Sequence, residues 1–144
     1  MRRYLVVANQ TLGGDELLDR MRAAADEGPC TIHVMVPSSA DPTEAFHDGD
    51  ADRKLARERL DAALARFGDL DATVTGEVGD PRPADAVGDV LRRGERFDRV
   101  VVSTLPAGVS RWLRLDAVSQ IERAVDVPVE HITFDAKQEA KRGS

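Results

Sequence analysis

The sequence predicts an α/β fold: a single doubly wound parallel sheet of five strands in the order 3-2-1-4-5, with helices on both faces. Three observations predict it. Short, continuous apolar runs recur along the chain, of the kind that are buried on both faces of a sheet. Segments with apolar residues at helical spacing lie between them, and such alternation implies parallel strands joined by crossover helices. One strand alone alternates apolar and polar residues, which places it at an edge with one wet face.

The elements follow in order. Tyr4 to Ala8 is the first apolar run, and Thr11 to Gly14 is a turn. Leu17, Leu18, Met21, Ala24 and Ala25 mark the first helix, which Gly28-Pro29 stops. Thr31 to Val36 is the second strand. Pro37 to Asp52 is rich in Pro, Ser, Asp and Gly and predicts a long loop. Ala56, Leu60, Ala63, Leu64 and Phe67 mark the second helix, with Gly68 at its end.

Ala72, Val74, Gly76 and Val78 alternate with Thr73, Thr75 and Glu77, and this is the edge strand. Pro81 and Pro83 open the third helix, where Ala84, Val87, Val90 and Leu91 share a face before Gly94. Arg99 to Ser103 is a buried fourth strand. Asp116 is placed to cap a fourth helix carrying Val118, Ile121 and Val125. Val129 to Phe134 is the last strand, with Ile132 and Phe134 toward the core. Residues 1–134 are thus expected to form the domain, and 135–144 a charged, loose tail.

Composition narrows the function. A chain of 144 residues can bury a core without disulfides or a structural metal. Its net charge of −6 repels phosphate backbones, which argues against general nucleic-acid binding. No apolar run is long enough to span a bilayer, and the first apolar run meets Asn9 and Gln10 too soon for a signal peptide. The expectation is a cytoplasmic protein. The lone Cys30 adjoins an apolar strand and reads as a small buried hydrophobe. His33, His47 and His131 show no metal-ligand spacing. Asp41, Glu44, Asp48, Asp50 and Asp52 read as a solvated acidic loop.

Ligands of open parallel sheets bind beyond the carboxyl ends of the strands, where the strand order reverses. Here that point lies between the first and fourth strands. The candidate ligand contacts are Ala8 and Asn9 after the first strand, Val36 after the second and Gly79 after the third. After the fourth come Ser103, Thr104, Gly108, Ser110 and Arg111. This last segment offers three hydroxyls (Ser103, Thr104 and Ser110), a glycine and a guanidinium, a set that can hold a small anion. The same groups can instead satisfy one another. Asn9 can read a base or ribose edge, or cap its own turn through local bonding.

Several segments together resemble the universal stress protein family over residues 3 to 134. Tyr4-Leu5-Val6-Val7-Ala8-Asn9 is similar to the family's first strand, with Asn9 where Asp is usual. Gly79-Asp80-Pro81 is similar to its Gly-x-Pro, and Asp98 to Ser103 to its fourth strand. Ser110 to Ser119 resembles the segment that follows, and Val127-Pro128-Val129 the lead into the last strand. The resemblance implies a nucleotide α-hydrolase-like sheet, a homodimer paired through Val129 to Phe134, and AMP or ATP as ligand. In ATP-binding members the fourth loop carries Gly-x2-Gly-x9-Gly-Ser/Thr. Here Val102, Leu105, Leu115 and Asp116 stand at those four positions. The close backbone approach to phosphate is lost, and Asp116 repels a triphosphate.

Gly13-Gly14-Asp15-Glu16-Leu17 matches a diguanylate cyclase string, but it opens a helix here and is read as coincidence. A phosphorylation receiver needs paired acids where Asn9-Gln10 stand. No Walker loop or nucleophile elbow is present in the sequence. The expectation is a non-catalytic, ligand-sensing stress-response protein with weak or altered nucleotide binding. The alternative is a small nucleotide-dependent enzyme using the Ser103 to Arg111 loop.

Overall fold

The computed structural model describes residues 1–38, 49–106 and 116–134. Strands β1 (Arg2–Val7), β2 (Cys30–Pro37), β3 (Thr73–Gly79), β4 (Arg99–Thr104) and β5 (Val129–Thr133) alternate with four helices. These are α1 (Asp15–Asp26), α2 (Gly49–Phe67), α3 (Pro83–Arg92) and α4 (Ala117–Ala124). All pairings are parallel and the order is β3-β2-β1-β4-β5, as the sequence predicts.

Strand parity divides the core into two layers. Tyr4, Val6, Ala8, Ile32, Val34, Val36 and Val101 face α1 and α2, where Leu17, Met21, Leu60 and Phe67 meet them. Leu5, Val7, Met35, Val100 and Val102 face α3 and α4, against Ala86, Val87, Val90, Ala117 and Ile121. The central strands are apolar on both sides because helices cover both sides. The edge strands differ, with Thr73 and Thr75 of β3 and His131 and Thr133 of β5 exposed. Helix α2 seats directly on β3 at Gly76, where an added Cβ would lie 2.5 Å from Leu60 Cδ1 and 3.0 Å from the Val34 carbonyl. Only glycine leaves room for that approach.

Two sequence expectations are corrected. The segment read as a long loop from Pro37 to Asp52 begins inside β2 and ends inside α2, whose first turn contains Asp50 and Asp52. Those two acids suit a helix start, where carboxylates complement the macrodipole. Asp116 precedes α4 but does not cap it. Its backbone is left-handed (φ 59°), and its side chain makes no cap hydrogen bond. The carboxylate lies 3.8 Å from Arg123 instead. Gly28 and Gly94 end α1 and α3 with positive φ (140° and 88°), conformations that a side chain disfavours. The predicted tail, 135–144, lies outside the described residues, as do Asp41, Glu44, His47 and Asp48.

Candidate functional site

The switch point falls where predicted, above the carboxyl ends of β1 and β4. Register fixes the approach: Val7 lies beside Met35 on one flank and Val102 on the other. The next residues, Ala8, Val36 and Ser103, therefore reach the top of the sheet together.

Asn9 is buried there and does not cap its own turn through its side chain. Its Nδ2 donates to the Pro37 carbonyl at 2.7 Å, while Oδ1 accepts from Arg59 Nη1 at 2.5 Å. One neighbour demands a donor and the other an acceptor, and a primary amide supplies both. An aspartate here would set a carboxylate against the Pro37 carbonyl, which accounts for Asn in this chain. The turn closes through backbone bonds alone, from Leu12 N to the Asn9 carbonyl and from Gly14 N to the Thr11 carbonyl.

Across the crevice, Thr11 Oγ1 and Ser103 Oγ lie 2.6 Å apart, both hydroxyls buried. This pair bridges the β1 loop to the end of β4. Ser38 donates from both its N and its Oγ to the Gly79 carbonyl, at 3.0 and 2.9 Å, and so joins β2 to β3. Thr104 turns toward β5, where its Oγ1 donates to the Leu105 carbonyl and lies 2.8 Å from His131 Nε2. Both bonds are satisfied together when His131 Nε2 carries the proton.

The structure thus brings Asn9, Ser103 and the β2 and β3 ends into one crevice, and sends Thr104 to its β5 side. Ala8 and Val36 contribute no side chain to it, because both are fully buried in the α1–α2 core. Gly108, Ser110 and Arg111 lie outside the described residues. The sequence reading missed Thr11, Ser38 and Arg59. A usable sign was present for the last: Arg59 and Arg66 stand seven apart on α2, beside the buried Ala56 and Ala63, so both face the protein. Arg66 holds the same β1–α1 loop, donating to the Gly13 carbonyl and to Asp15 Oδ1.

Two charged clusters lie away from the crevice. Arg93 forks onto both oxygens of Glu77, and His33 Nε2 lies 2.7 Å from that carboxylate. The Arg93 guanidinium, with help from His33, holds Glu77 below the usual carboxylate range. Glu130 of β5 receives Arg20 of α1 at 2.5 Å, which pushes the Arg20 guanidinium up. The first cluster ties the edge strand β3 to the end of α3, and the second ties β5 to α1. Burial pushes the Cys30 thiol up, as for a packing residue. Among the described residues no group of three His, Cys, Asp or Glu is placed to hold a metal ion. No helix among them is long and apolar enough to cross a membrane.

A doubly wound sheet with hydroxyls, an amide and a guanidinium gathered at its switch point defines the class of protein: a small open-sheet α/β domain. No protein-family model matches the sequence, and no curated protein matches it significantly. Solved structures do. An AMP-bound universal stress protein from Arabidopsis thaliana superposes with a TM-score of 0.55 at 13% identity, covering 96% of this chain and 95% of that one. One from Burkholderia pseudomallei gives a TM-score of 0.54 at 19% identity, covering 90% and 94%. The 4-carboxy-2-hydroxymuconate hydratase from Pseudomonas putida gives 0.54 at 20% identity, covering 86% of this chain but 55% of the hydratase. The chain has the universal stress protein fold.

Proposed function

We propose that this chain is a non-catalytic, stress-response protein of the universal stress type. In this reading it is a cytoplasmic homodimer that binds a small adenine nucleotide weakly, AMP in preference to ATP. The observation that carries it is the crevice itself. Its polar groups converge at the switch point, yet Val102 is wholly buried where ATP-binding members of the resembling family have glycine. That glycine gives the backbone its close approach to phosphate. A similar fold in the Arabidopsis protein holds AMP.

Titrating ATP and AMP calorimetrically into the wild type and Arg111→Ala tests the ligand. AMP binding with ATP weaker is expected. ATP binding in the low micromolar range, unchanged by Arg111→Ala, overturns the reading. Incubation with ATP and product analysis tests the non-catalytic role, and turnover would favour the enzyme alternative. Among the described residues the strand order ends at β5, whose outer edge has no neighbouring strand there. Pairing of this edge across a two-fold axis would bury its free backbone groups. A monomer by sedimentation at tens of micromolar, roughly where a specific dimer persists, removes the dimer.

A further inference from the structure

Among the described residues most arginines pair with a carboxylate, and Arg59 is among those that do not. Six of the described arginines are half-buried: Arg2, Arg3, Arg20, Arg59, Arg66 and Arg99. Arg2 ends on Glu27, Arg20 and Arg99 on Glu130, and Arg66 on Asp15. Arg3 lies over the Phe97 ring, 5.1 Å from its centroid. Arg59 differs. Among the described residues its hydrogen-bond partner is the uncharged amide oxygen of Asn9.

The location matters as much as the pairing. Asn9 stands at the switch point, bonded to the end of β2, so the Arg59 guanidinium reaches the crevice from α2. A guanidinium carries five N–H donors in a planar fork, and one of them is used on Asn9. In a chain of net charge −6, a partly desolvated positive charge set against a neutral acceptor is an unmet demand for an anion. The neighbouring Arg66 shows the contrast, since loop carbonyls and Asp15 occupy it.

We infer that Arg59 binds the anionic group of the crevice's ligand, a compact oxyanion such as a phosphate monoester or a carboxylate. The inference rests on the proposed ligand-binding role of the crevice. It places the ligand's charge over β1 and β2, where Asn9 holds the guanidinium, and away from the β4 loop that lacks its glycines. A bidentate contact of this kind is lost by any neutral replacement.

The test uses Arg59→Gln, which can still donate to Asn9 Oδ1 but carries no charge, and Arg59→Lys, which keeps charge without the fork. Circular dichroism and urea unfolding confirm that each variant folds. Calorimetry with AMP and adenosine then isolates the anion. Arg59→Gln is expected to weaken AMP roughly 10- to 100-fold while leaving adenosine unchanged, as loss of one charged contact predicts. Arg59→Lys is expected to fall between. Thermal shift with inorganic phosphate and with acetate tests the oxyanion without the nucleoside.

If AMP binds and Arg59→Gln leaves its affinity unchanged, the inference fails while the nucleotide reading stands. If AMP does not bind but phosphate or acetate stabilises the wild type and not Arg59→Gln, the inference stands and the nucleotide reading falls. If no anion stabilises the wild type, Arg59 is only a brace for Asn9 and the inference fails.

Discussion

The hydroxyl pair that spans the switch point can be tested as a closed system. Thr11 Oγ1 and Ser103 Oγ are 2.6 Å apart, and the residues are 3% and 2% exposed, so water does not replace either partner. Ser103→Ala leaves the Thr11 hydroxyl buried and unpaired, at a cost of about 1–3 kcal/mol. Thr11→Val does the same to Ser103. The folded-to-unfolded ratio should fall roughly 5- to 150-fold in each single variant. The melting temperature should fall by about 2–12 °C, for a domain of this size. The double variant Thr11→Val/Ser103→Ala removes both polar groups and should recover most of the loss, to within about 1 kcal/mol of the wild type. Urea unfolding reads all four proteins, with the midpoint moving and the slope m constant. Additive losses in the double variant, or a neutral Ser103→Ala, would refute the claim that this pair is sealed and mutually satisfied.

Three further outcomes follow from the same structure. Gly76→Ala should cost about 1–3 kcal/mol by overpacking, since its Cβ meets Leu60 and the Val34 carbonyl; an unchanged urea midpoint would show that α2 can lift off β3. Glu77 has its folded pKa lowered by Arg93 and then His33. Its contribution is therefore full above the unfolded carboxyl value of about 4.3 and is lost as pH falls through the folded value. Arg93→Ala should flatten that acid-side loss in stability measured against pH, and an identical profile would exclude the pairing as its source. Cys30 is 2% exposed with its thiol pushed up, so a disulfide reagent at pH 7–8 should modify it only as fast as the chain opens. Rapid labelling of the folded protein would contradict its burial.

The strand order was legible because burial leaves a pattern within single segments. Thr73, Thr75 and Glu77 are polar at every second place, and only an edge tolerates that over a parallel sheet. Tyr4 to Ala8 and Val100 to Val102 are apolar throughout, and only central strands require it. The crevice was legible as a location and not as a set of contacts. Thr11 meets Ser103 across 92 residues, and Asn9 meets Arg59 across 50. No local pattern encodes a partner at that distance. Asn9 and Asp116 mislead in the same way. Each residue type favours local capping, but Asn9 is claimed by β2 and α2, and a left-handed backbone puts the Asp116 carboxylate where it makes no cap bond. The β2–α2 boundary was missed because Asp50 and Asp52 suit a helix start as well as a loop.

The central place of β1 has a consequence in time. One neighbour, β2, follows it closely, whereas Arg3 bonds to Asp98 of the β4 approach across 95 residues. A ribosome releases the N-terminus first. For most of the chain's synthesis, β1, α1 and β2 are therefore available while the other flank of β1 has nothing to pair with. That flank presents free N–H and C=O groups along a strand whose side chains from Tyr4 to Val7 are all buried in the finished protein. Such an edge templates pairing with foreign strands. Nascent chains stalled before Arg99 should thus be held by chaperones or aggregate, and chains extended past Thr133 should not, which ribosome-arrested chains of graded length would measure. The vulnerability of this protein lies in the order in which its sheet is completed, and β4 is the piece that ends it.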